Sequence, residues 1–296
     1  MHLLDSPSSL REWLADAPRP LALVPTMGAL HDGHLALIDR ARDPEATHDR
    51  PARAVVVSVF VNPTQFGPGE DFDRYPRDLE RDLALLSKRS VDAVFTPTAD
   101  QLYPPGRPEV AIDLPELTAP LEGEHRPGHF AGVCRVCLKL FNLAQPDYAV
   151  FGEKDYQQLA VMRAMVADLD LPMTILACPT VREPNGVAMS SRNRYLSTVH
   201  RSHARGLSRA LAAAQKAHAH GNTDPVALEH AMQVVLTAHH LDIDYAVVRH
   251  AETLQPLDAD ASAPPDARLI LAAHAGKTRL IDNAALGELS TASPSL

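Results

Sequence analysis

Short apolar runs alternate with amphipathic helical patterns through the first 180 residues, and this alternation restricts the fold more than any other feature of the chain. The clearest run is AVVVSVFV at 54–61, which is continuous, β-branched and too short for a buried helix. Strands separated by helices pair in parallel, because each crossover needs a helix-length connection. The pattern therefore predicts an α/β fold with a parallel sheet and helices on its faces.

The predicted order of elements can be given by residue number. Strands are predicted at 21–25, 54–61, 91–95, 148–151 and 173–178, and helices at 33–42, 78–88, 131–143 and 156–168. Residues 43–53 are polar and residues 97–108 are rich in proline, so both are predicted as surface loops.

The character of the sequence changes beyond about residue 180. Helices are predicted at 198–220 and 224–239, followed by strands at 243–248, 268–273 and 278–281. A total of 296 residues exceeds a typical single domain. We predict a first domain at 1–180 and a smaller α+β domain at 181–296 that closes over the site.

The composition narrows the class of partner. Hydrophobic residues make up 45% of the chain, which is enough for a buried core. The net charge of −9 disfavours nucleic acid as the main partner. The N-terminus lacks the pattern of a signal peptide, and no window approaches the length of a membrane span. We expect no membrane partner and a cytoplasmic location.

Three cysteines in a chain of this length do not form a disulfide framework. Cys134 and Cys137 form a C-x-x-C pair, but no second cysteine pair or nearby histidine cluster completes a zinc set. The segment VCRVCLKLF is typical of a helix with an apolar face, so both thiols are interpreted as core residues. A redox or metal role is the alternative.

The first constellation that carries chemistry is LVPTMGALHDGHLALIDRA at 23–41. Ligands of open α/β sheets bind where carboxyl ends of strands meet helix N-termini, and the exposed amides there favour phosphate. His31 and His34 share one face of the first helical turn and can donate to phosphate oxygens. Gly33 lacks a side chain where a ligand must come close. We predict a nucleotide site; a structural turn is the alternative.

The second constellation, VFVNPTQFGPGEDFDRYPRD at 59–78, follows the clearest strand and should lie at the same edge of the sheet. Asn62 and Gln65 carry amides that both donate and accept hydrogen bonds. Such groups suit a small hydroxylated acid better than a phosphate. An ordinary turn is the alternative.

The third constellation is FGEKDYQQL at 151–159. Lys154 lies at a helix start where a cation can meet a triphosphate, and Gln158 lies one helical turn further on. An exposed lysine without a ligand is the alternative.

The fourth constellation is REPNGVAMSSRNRYLS at 182–197. Ser190, Ser191 and Arg192 place two hydroxyls and a guanidinium in sequence, which suits a phosphate. The segment lies at the predicted domain junction, a favoured place for small-molecule sites. A serine-rich linker is the alternative.

Taken together, these segments resemble the pantothenate synthetase (pantoate–β-alanine ligase) family of the nucleotidylyltransferase superfamily. The matching blocks are PTMGALHDGH, FVNPTQF, RPGHFAGV, FGEKDYQQL, MSSRNRYL and RLIDN, which stand in the family's order across nearly the whole chain. The resemblance implies a Rossmann-like ATP domain, a smaller C-terminal domain and a homodimer. It also implies that ATP, (R)-pantoate and β-alanine give pantothenate, AMP and pyrophosphate through a pantoyl adenylate, with Mg²⁺.

The resemblance also implies roles for individual residues. His34 matches the catalytic proton donor, with His31 and Lys154 acting on the phosphates. Pantoate contacts are expected from Gln65 and Gln158, and Asn62, Tyr75 and Asp82 are weaker candidates near the second substrate and the metal, with Asp82 as the metal ligand. The ATP contacts implied are Met27, Gly28, Ala29, Leu30, His31, Asp32, Gly33, His34, Gly152, Glu153, Lys154, Asp155, Val181, Met189, Ser190, Ser191 and Arg192.

Two features depart from the family pattern, and two other functions compete with the ligase. The 43–53 loop is longer than usual, and Arg135 replaces a small polar residue, so that it either alters the phosphate contacts or turns outward. One competing function is a nucleotidylyltransferase with a phosphorylated acceptor, which would leave the Asn62–Gln65 turn without a purpose. The other is a nucleotide-binding module without catalysis.

Overall fold

The computed structural model describes residues 1–258 and 261–288, so the end of the predicted second domain, 289–296, lies outside the described residues. The chain forms two compact units. Unit 1 contains Met1–Glu153 and Gln157–Pro179. Unit 2 contains Lys154–Tyr156 and the chain from Thr180 onward.

Unit 1 is built on a six-stranded sheet in the order β1-β4-β3-β2-β5-β6, with every neighbouring pair parallel. The predicted α/β fold class is confirmed. The strands are β1 His2–Leu4, β2 Leu21–Thr26, β3 Ala54–Val59, β4 Ala93–Phe95, β5 Tyr148–Gly152 and β6 Thr174–Cys178.

The helices of unit 1 connect these strands. The longer ones are α1 Pro7–Leu14, α2 Asp32–Ala41, α3 Leu79–Ser87, α7 His129–Ala144 and α8 Tyr156–Asp168, and the short ones are α4 Ala99–Leu102, α5 Pro115–Thr118 and α6 Glu122–His125. The chain runs from β2 outward to β3 on one side and later returns to place β5 on the other. The carboxyl end of β2 is therefore a topological switch point, where open α/β sheets bind ligands.

The buried strands explain the continuous apolar runs in the sequence. Ala22 and Val24 pack into one core cluster with the apolar side chains of α2. Leu21 and Leu23 point to the opposite face of the sheet because side chains alternate along a strand, and they are equally buried. Both faces of the sheet are therefore covered, as the sequence predicts.

Some elements differ from the prediction. Strand β3 ends at Val59, two residues early, because its partner β2 ends at Thr26 opposite Val59. The first 14 residues form β1 and α1, which the sequence did not indicate because a three-residue strand gives no readable period. The proline-rich 97–108 segment contains α4, which begins after Thr98. The Thr98 side chain accepts a hydrogen bond from the backbone N–H of Gln101. Within the 43–53 loop, residues 44–49 form successive turns.

Unit 2 contains an antiparallel sheet in the order β7-β8-β9 and two helices whose apolar faces share one core with it. These elements confirm the predicted α+β character of the C-terminal part. They are α9 Thr198–Ala219, α10 Pro225–Ala238, β7 Asp242–Arg249, β8 Arg268–Ala275 and β9 Thr278–Ala285.

The three cysteines are free and buried. Cys134 and Cys137 lie on α7, and burial raises the pKa of Cys134 to about 12 and that of Cys137 further still. Within the described chain there is no group of three or more His, Cys, Asp or Glu side chains suited to a metal ion. The pair therefore packs in the core, as the apolar pattern indicates.

Across residues 1–258 and 261–288, no helix combines the length and the apolar character that crossing a membrane requires.

Candidate active site

The turn between β2 and α2 carries the first constellation. It leaves the sheet after Thr26, and α2 begins at Asp32 with His31 as its N-cap. Gly28 and Ala29 both have positive φ, +79° and +52°. Gly28 suits this conformation because it has no side chain, and a Cβ there would lie only 2.9 Å from Asp82 Oδ2. The turn is therefore sharp and tightly enclosed.

The two histidines of this turn are neighbours. The ring centroids of His31 and His34 are 4.0 Å apart, and the His31 backbone N–H donates to His34 Nδ1 at 3.3 Å. Because Nδ1 accepts this bond, the proton of the neutral His34 ring lies on Nε2. His34 is half-buried at the N-terminal end of α2, where the helix dipole favours an anion. The arrangement suits a hydrogen bond from Nε2–H to a phosphate oxygen.

A buried carboxylate holds the same turn from behind. Asp82 on α3 is 1% exposed, and its Oδ2 and Oδ1 accept the N–H groups of Ala29 at 2.9 Å and Leu30 at 2.8 Å. Burial raises the pKa of Asp82, and the two backbone N–H groups act in the opposite direction. Both carboxylate oxygens are thus engaged with the backbone.

The amide-rich turn lies beside the histidine turn. Gln65 is buried in the short 3₁₀ helix Pro63–Gln65, and its Nε2 donates to Met27 Sδ at 3.1 Å. Asn62 donates through Nδ2 to Gln65 Oε1 at 2.9 Å and to the Gly132 carbonyl at 3.1 Å. The structure therefore brings the first two constellations together and makes Asn62 the support of Gln65.

The start of α7 forms the wall behind this turn. A Cβ on Gly132 would lie 2.2 Å from the Thr64 carbonyl oxygen, so glycine is required for the close approach of the two backbones. His129 Nδ1 lies 2.9 Å from the Gln65 carbonyl oxygen, and its Nε2 lies 3.1 Å from Arg126 Nη1. Since arginine only donates, Nε2 accepts and Nδ1 carries the proton toward Gln65.

Arg126 is fixed in turn by a carboxylate. Its Nε and Nη2 donate to the two oxygens of Glu70 at 2.8 and 2.9 Å, which is the two-point geometry that arginine favours. Burial, followed by the Arg126 charge, lowers the pKa of His129 to about 4. The ring is therefore neutral at physiological pH, in the tautomer that bonds to Gln65.

Two further side chains from the sequence analysis lie in this region. Tyr75 is buried, with its ring edge-on to Phe66 at a centroid distance of 6.0 Å. Arg135, the departure from the family pattern, pairs with Glu109 at 2.9 Å and lies 4.6 Å above the Tyr103 ring. Tyr103 Oη donates to Asn62 Oδ1 at 2.9 Å, so Arg135 packs against a support of the amide turn.

The two glutamines of α8 have different environments. Gln157 is buried, and its side chain accepts from the Glu122 N–H and donates to the carbonyls of Leu117 and Pro120. Gln158 is half-buried in the same first turn. Gly152 ends β5, and Glu153 follows at the carboxyl edge of the sheet. The side chain of Gln157 is therefore engaged in hydrogen bonds within the protein.

Unit 2 holds the lysine of the third constellation. The side chain of Lys154 is 21% exposed, with Nζ 3.5 Å from Asp155 Oδ1. Its carbonyl accepts from Asn283 Nδ2 at 2.9 Å, and Asn283 belongs to β9. The neighbouring Asp282 is 1% exposed and accepts two bonds from Arg182, at 2.6 and 3.0 Å.

The fourth constellation forms a hairpin-like segment in unit 2. The Met189 N–H donates to the Val181 carbonyl at 2.9 Å, and Arg182 and Ala188 form an antiparallel bridge. Ser190 caps the 3₁₀ helix Ser191–Tyr195 and accepts from the Arg192 N–H at 3.3 Å. The five implied ATP contacts at 181 and 189–192 are therefore gathered in one segment.

Comparison with known proteins identifies the family. A family model described as Pantoate-beta-alanine ligase matches residues 2–285. The chain is 47% identical over 292 residues to pantothenate synthetase of Geobacter sulfurreducens, covering 97% of this chain and 99% of the relative. It is 50% identical over 295 residues to that of Rubrobacter xylanophilus, covering 96% and 98%.

The chain belongs to the pantoate-beta-alanine ligase family.

Solved structures of the family agree with this fold. Pantothenate synthetase from Thermus thermophilus superposes with a TM-score of 0.88 at 46% identity, covering 97% of this chain and 100% of that one. Pantoate-beta-alanine ligase from Francisella tularensis, complexed with beta-gamma ATP and beta-alanine, gives 0.76 at 31% identity, covering 97% and 98%. Resemblance to the family is therefore confirmed, and the chain is identified as a ligase.

Several supporting residues were missed from sequence. His129, Arg126 and Glu70 fix the Gln65 backbone, and Asn283 holds the Lys154 carbonyl. The family blocks RPGHFAGV and RLIDN contain Arg126, His129 and Asn283. The sequence alone does not indicate their chemistry, because a residue that acts by positioning another residue has no characteristic spacing along the chain.

Asp82 does not fit the role of direct metal ligand that the resemblance implies. Mg²⁺ needs six oxygen ligands in near-octahedral geometry and keeps several waters. A carboxylate that is 1% exposed and accepts a backbone N–H at each oxygen offers no room for such a shell. The disagreement with the family's metal concerns this residue alone.

Proposed function

We propose that the chain condenses (R)-pantoate with β-alanine at the expense of ATP, through a pantoyl adenylate, and releases AMP and pyrophosphate. The observation that carries the proposal is the contact between Gln65 and Met27. It joins an amide suited to a hydroxylated acid with the loop suited to a nucleotide. The ligand-bound Francisella relative, with beta-gamma ATP and beta-alanine in its title, supports two of the three substrates.

In the first step, a pantoate carboxylate oxygen attacks the α-phosphorus of ATP, and the bond to the pyrophosphate oxygen breaks. Two anions approach each other, so cations and N–H donors must surround the phosphates. We assign this role to His31, His34 and Lys154, with Ser190, Ser191 and Arg192. His34 offers Nε2–H as the proton donor, and Gln65 and Gln158 hold pantoate.

In the second step, the β-alanine amine attacks the acyl carbon of the adenylate. The acyl carbon–oxygen bond breaks, the amine loses a proton, and AMP leaves with the former carboxylate oxygen. The protein contributes orientation and charge stabilisation, and no covalent intermediate with the enzyme is needed.

Residues of both units are proposed to act on the same ATP. ATP contacts are assigned to Met27–His34, Gly152 and Glu153 in unit 1, and to Lys154, Asp155, Val181 and Met189–Arg192 in unit 2. Tyr75 stays a proposed neighbour of the substrates. Asn62 is assigned to supporting Gln65.

The remaining expectations belong to the same proposal. Mg²⁺ is expected to arrive on the ATP phosphates, which in such sites bind it together with water molecules and one or two protein carboxylates. The resemblance supports a homodimer. Three buried, free thiols suit the reducing cytoplasm.

An isotope experiment tests the reaction. Purified protein with ATP, β-alanine and pantoate labelled with ¹⁸O in its carboxylate should give AMP that carries one ¹⁸O. Exchange of pyrophosphate into ATP should require pantoate but not β-alanine. Formation of ADP and phosphate, or AMP without label, would refute the adenylate. A reaction that needs a phosphorylated acceptor and no amine would favour the nucleotidylyltransferase instead.

A further inference from the structure

We propose that Asp82 is a positioning residue that clasps the ATP-binding turn, and that it does not hold Mg²⁺. This inference rests on the proposed ATP site at Met27–His34. The clasp joins two distant parts of the sequence, since Asp82 lies on α3 and its partners Ala29 and Leu30 follow β2. It fixes the backbone directly before the N-cap His31.

The turn needs an anion at this point. Gly28 and Ala29 have φ of +79° and +52°, and the two N–H groups that follow them converge on the Asp82 carboxylate. Consecutive N–H groups in such turns form a concave binding site for an anion. Positive φ at alanine is unfavourable, so the conformation persists only where the surroundings enforce it. The carboxylate supplies that enforcement.

In other loops of this kind, the two N–H groups that bond to Asp82 here could instead bind a nucleotide phosphate. Since the N–H groups of Ala29 and Leu30 already bond to the protein, this pair does not serve the triphosphate. The phosphates then depend on the N-terminus of α2 and on the histidines and the lysine. The clasp therefore aligns the donors without contacting ATP.

Gly28 lies against the same carboxylate and leaves room for it. A Cβ at this position would lie 2.9 Å from Asp82 Oδ2 and 3.0 Å from Val59 Cγ1. A side chain here would collide with the carboxylate, and the φ of +79° adds strain in the turn itself, so Gly28→Ala should also loosen the clasp with Asp82 unchanged.

Asp92 provides a matched control. Its Oδ2 accepts the Val55 N–H at 2.8 Å and an Arg42 Nη2 bond at 3.0 Å, at the amino end of β3. Asp92→Asn thus removes the same charge and disturbs the same kind of carboxylate–backbone bond, but at the edge of the sheet opposite to the histidine turn.

The experiment measures two quantities for the wild type, Asp82→Asn, Gly28→Ala and Asp92→Asn. The first is hydrogen exchange at the Ala29 and Leu30 amides without nucleotide. The second is the dissociation constant of ATP, once with Mg²⁺ and once with EDTA. Asp82→Asn should speed the exchange and weaken ATP binding about tenfold by the same factor in both metal conditions, since it removes a charge-assisted hydrogen bond. Asp92→Asn should change neither.

Other results of these two measurements would contradict the proposal. Weakening of ATP binding by Asp82→Asn only in the presence of Mg²⁺ would make Asp82 a metal ligand and overturn the proposal. Unchanged exchange and affinity would overturn it as well. If Asp82→Asn does not fold, Gly28→Ala decides by the same two measurements. A wild-type protein that does not bind ATP would refute the proposed function, whereas the exchange measurement without nucleotide judges the clasp separately.

Discussion

At the scale of single residues, hydrogen-bond direction distinguishes the two paired histidines. His34 Nδ1 accepts the His31 N–H, which leaves Nε2–H as a donor that does not depend on protonation of the ring. The His31 backbone is engaged in positioning His34, so His34 is the better placed of the two for the catalytic role.

Replacement of His34 tests this assignment. We expect His34→Ala to lower kcat by about 10²–10³-fold, the usual effect of losing one well-placed donor to a transition-state charge. His34→Gln, whose amide nitrogen reaches toward the position of Nε2, should recover part of that loss. Steady-state kinetics and thermal unfolding of both variants supply the measurement.

The control for this pair is His48→Ala, since His48 is exposed in the 43–53 loop. It should leave kcat unchanged. Equal activity of His34→Ala and the wild type would remove His34 from the reaction, and equal loss in the alanine and glutamine variants would show that Nε2–H is not the group that matters.

At the scale of elements, the site depends on two helices, α3 and α7, that support its turns from behind. The start of α7 supports the Asn62–Gln65 turn through His129 and Gly132, and α3 supports the histidine turn through Asp82. The sequence predicted the strands and the residues at their carboxyl ends, because apolar periodicity and strand-end location are local signals. It could not predict these supports, because each joins residues that are far apart along the chain.

The His129 contact gives a kinetic prediction. His129→Ala should raise the KM for pantoate by about tenfold with a smaller change in kcat, because the Gln65 backbone loses its hydrogen bond. His129→Asn should restore most of the affinity, since the asparagine Nδ2 takes the place of Nδ1. His129→Gln, which imitates Nε2 instead, should not. Similar KM values in all three variants would contradict a positioning role.

The same residue gives a prediction of pH dependence. The pKa of His129 is lowered from 6.5 to about 4 in the folded chain. A base with a depressed pKa stabilises the fold above pH 6.5, and this contribution falls as the pH drops toward 4 because only the unfolded chain takes up the proton. The loss totals about 3 kcal/mol.

Urea unfolding of the wild type and His129→Asn at pH 7 and pH 4 measures this effect. Between pH 7 and pH 4 the midpoint of the wild type should fall relative to that of His129→Asn, since the asparagine variant has no proton to take up at this position. A difference that stays constant between the two pH values would show that His129 is not held neutral by its surroundings.

At the scale of the whole molecule, the two units differ in how readily the sequence reveals them. The sequence predicts five of the six parallel strands, because buried β-branched runs alternate with helical periods, and it predicts the strands of the β7-β8-β9 sheet from their apolar runs. The sequence does not predict that Lys154–Tyr156 belongs to unit 2. It depends on Asn283, which holds the Lys154 carbonyl, and on Arg268, whose guanidinium lies 4.0 Å above the Tyr156 ring.

The proposal that both units act on one ATP gives the last prediction. Hydrogen exchange with ATP and pantoate at about 100 times the dissociation constant should slow in 31–35 of unit 1 and in 189–192 of unit 2, because binding at that concentration stabilises the bound form by about 2.7 kcal/mol. Arg192→Ala should weaken the protection of both segments at a fixed ligand concentration. Arg209→Ala, which removes an equal charge from the exposed face of α9, should weaken neither. Protection that Arg192→Ala removes from 189–192 alone would mean that the two units do not share a ligand.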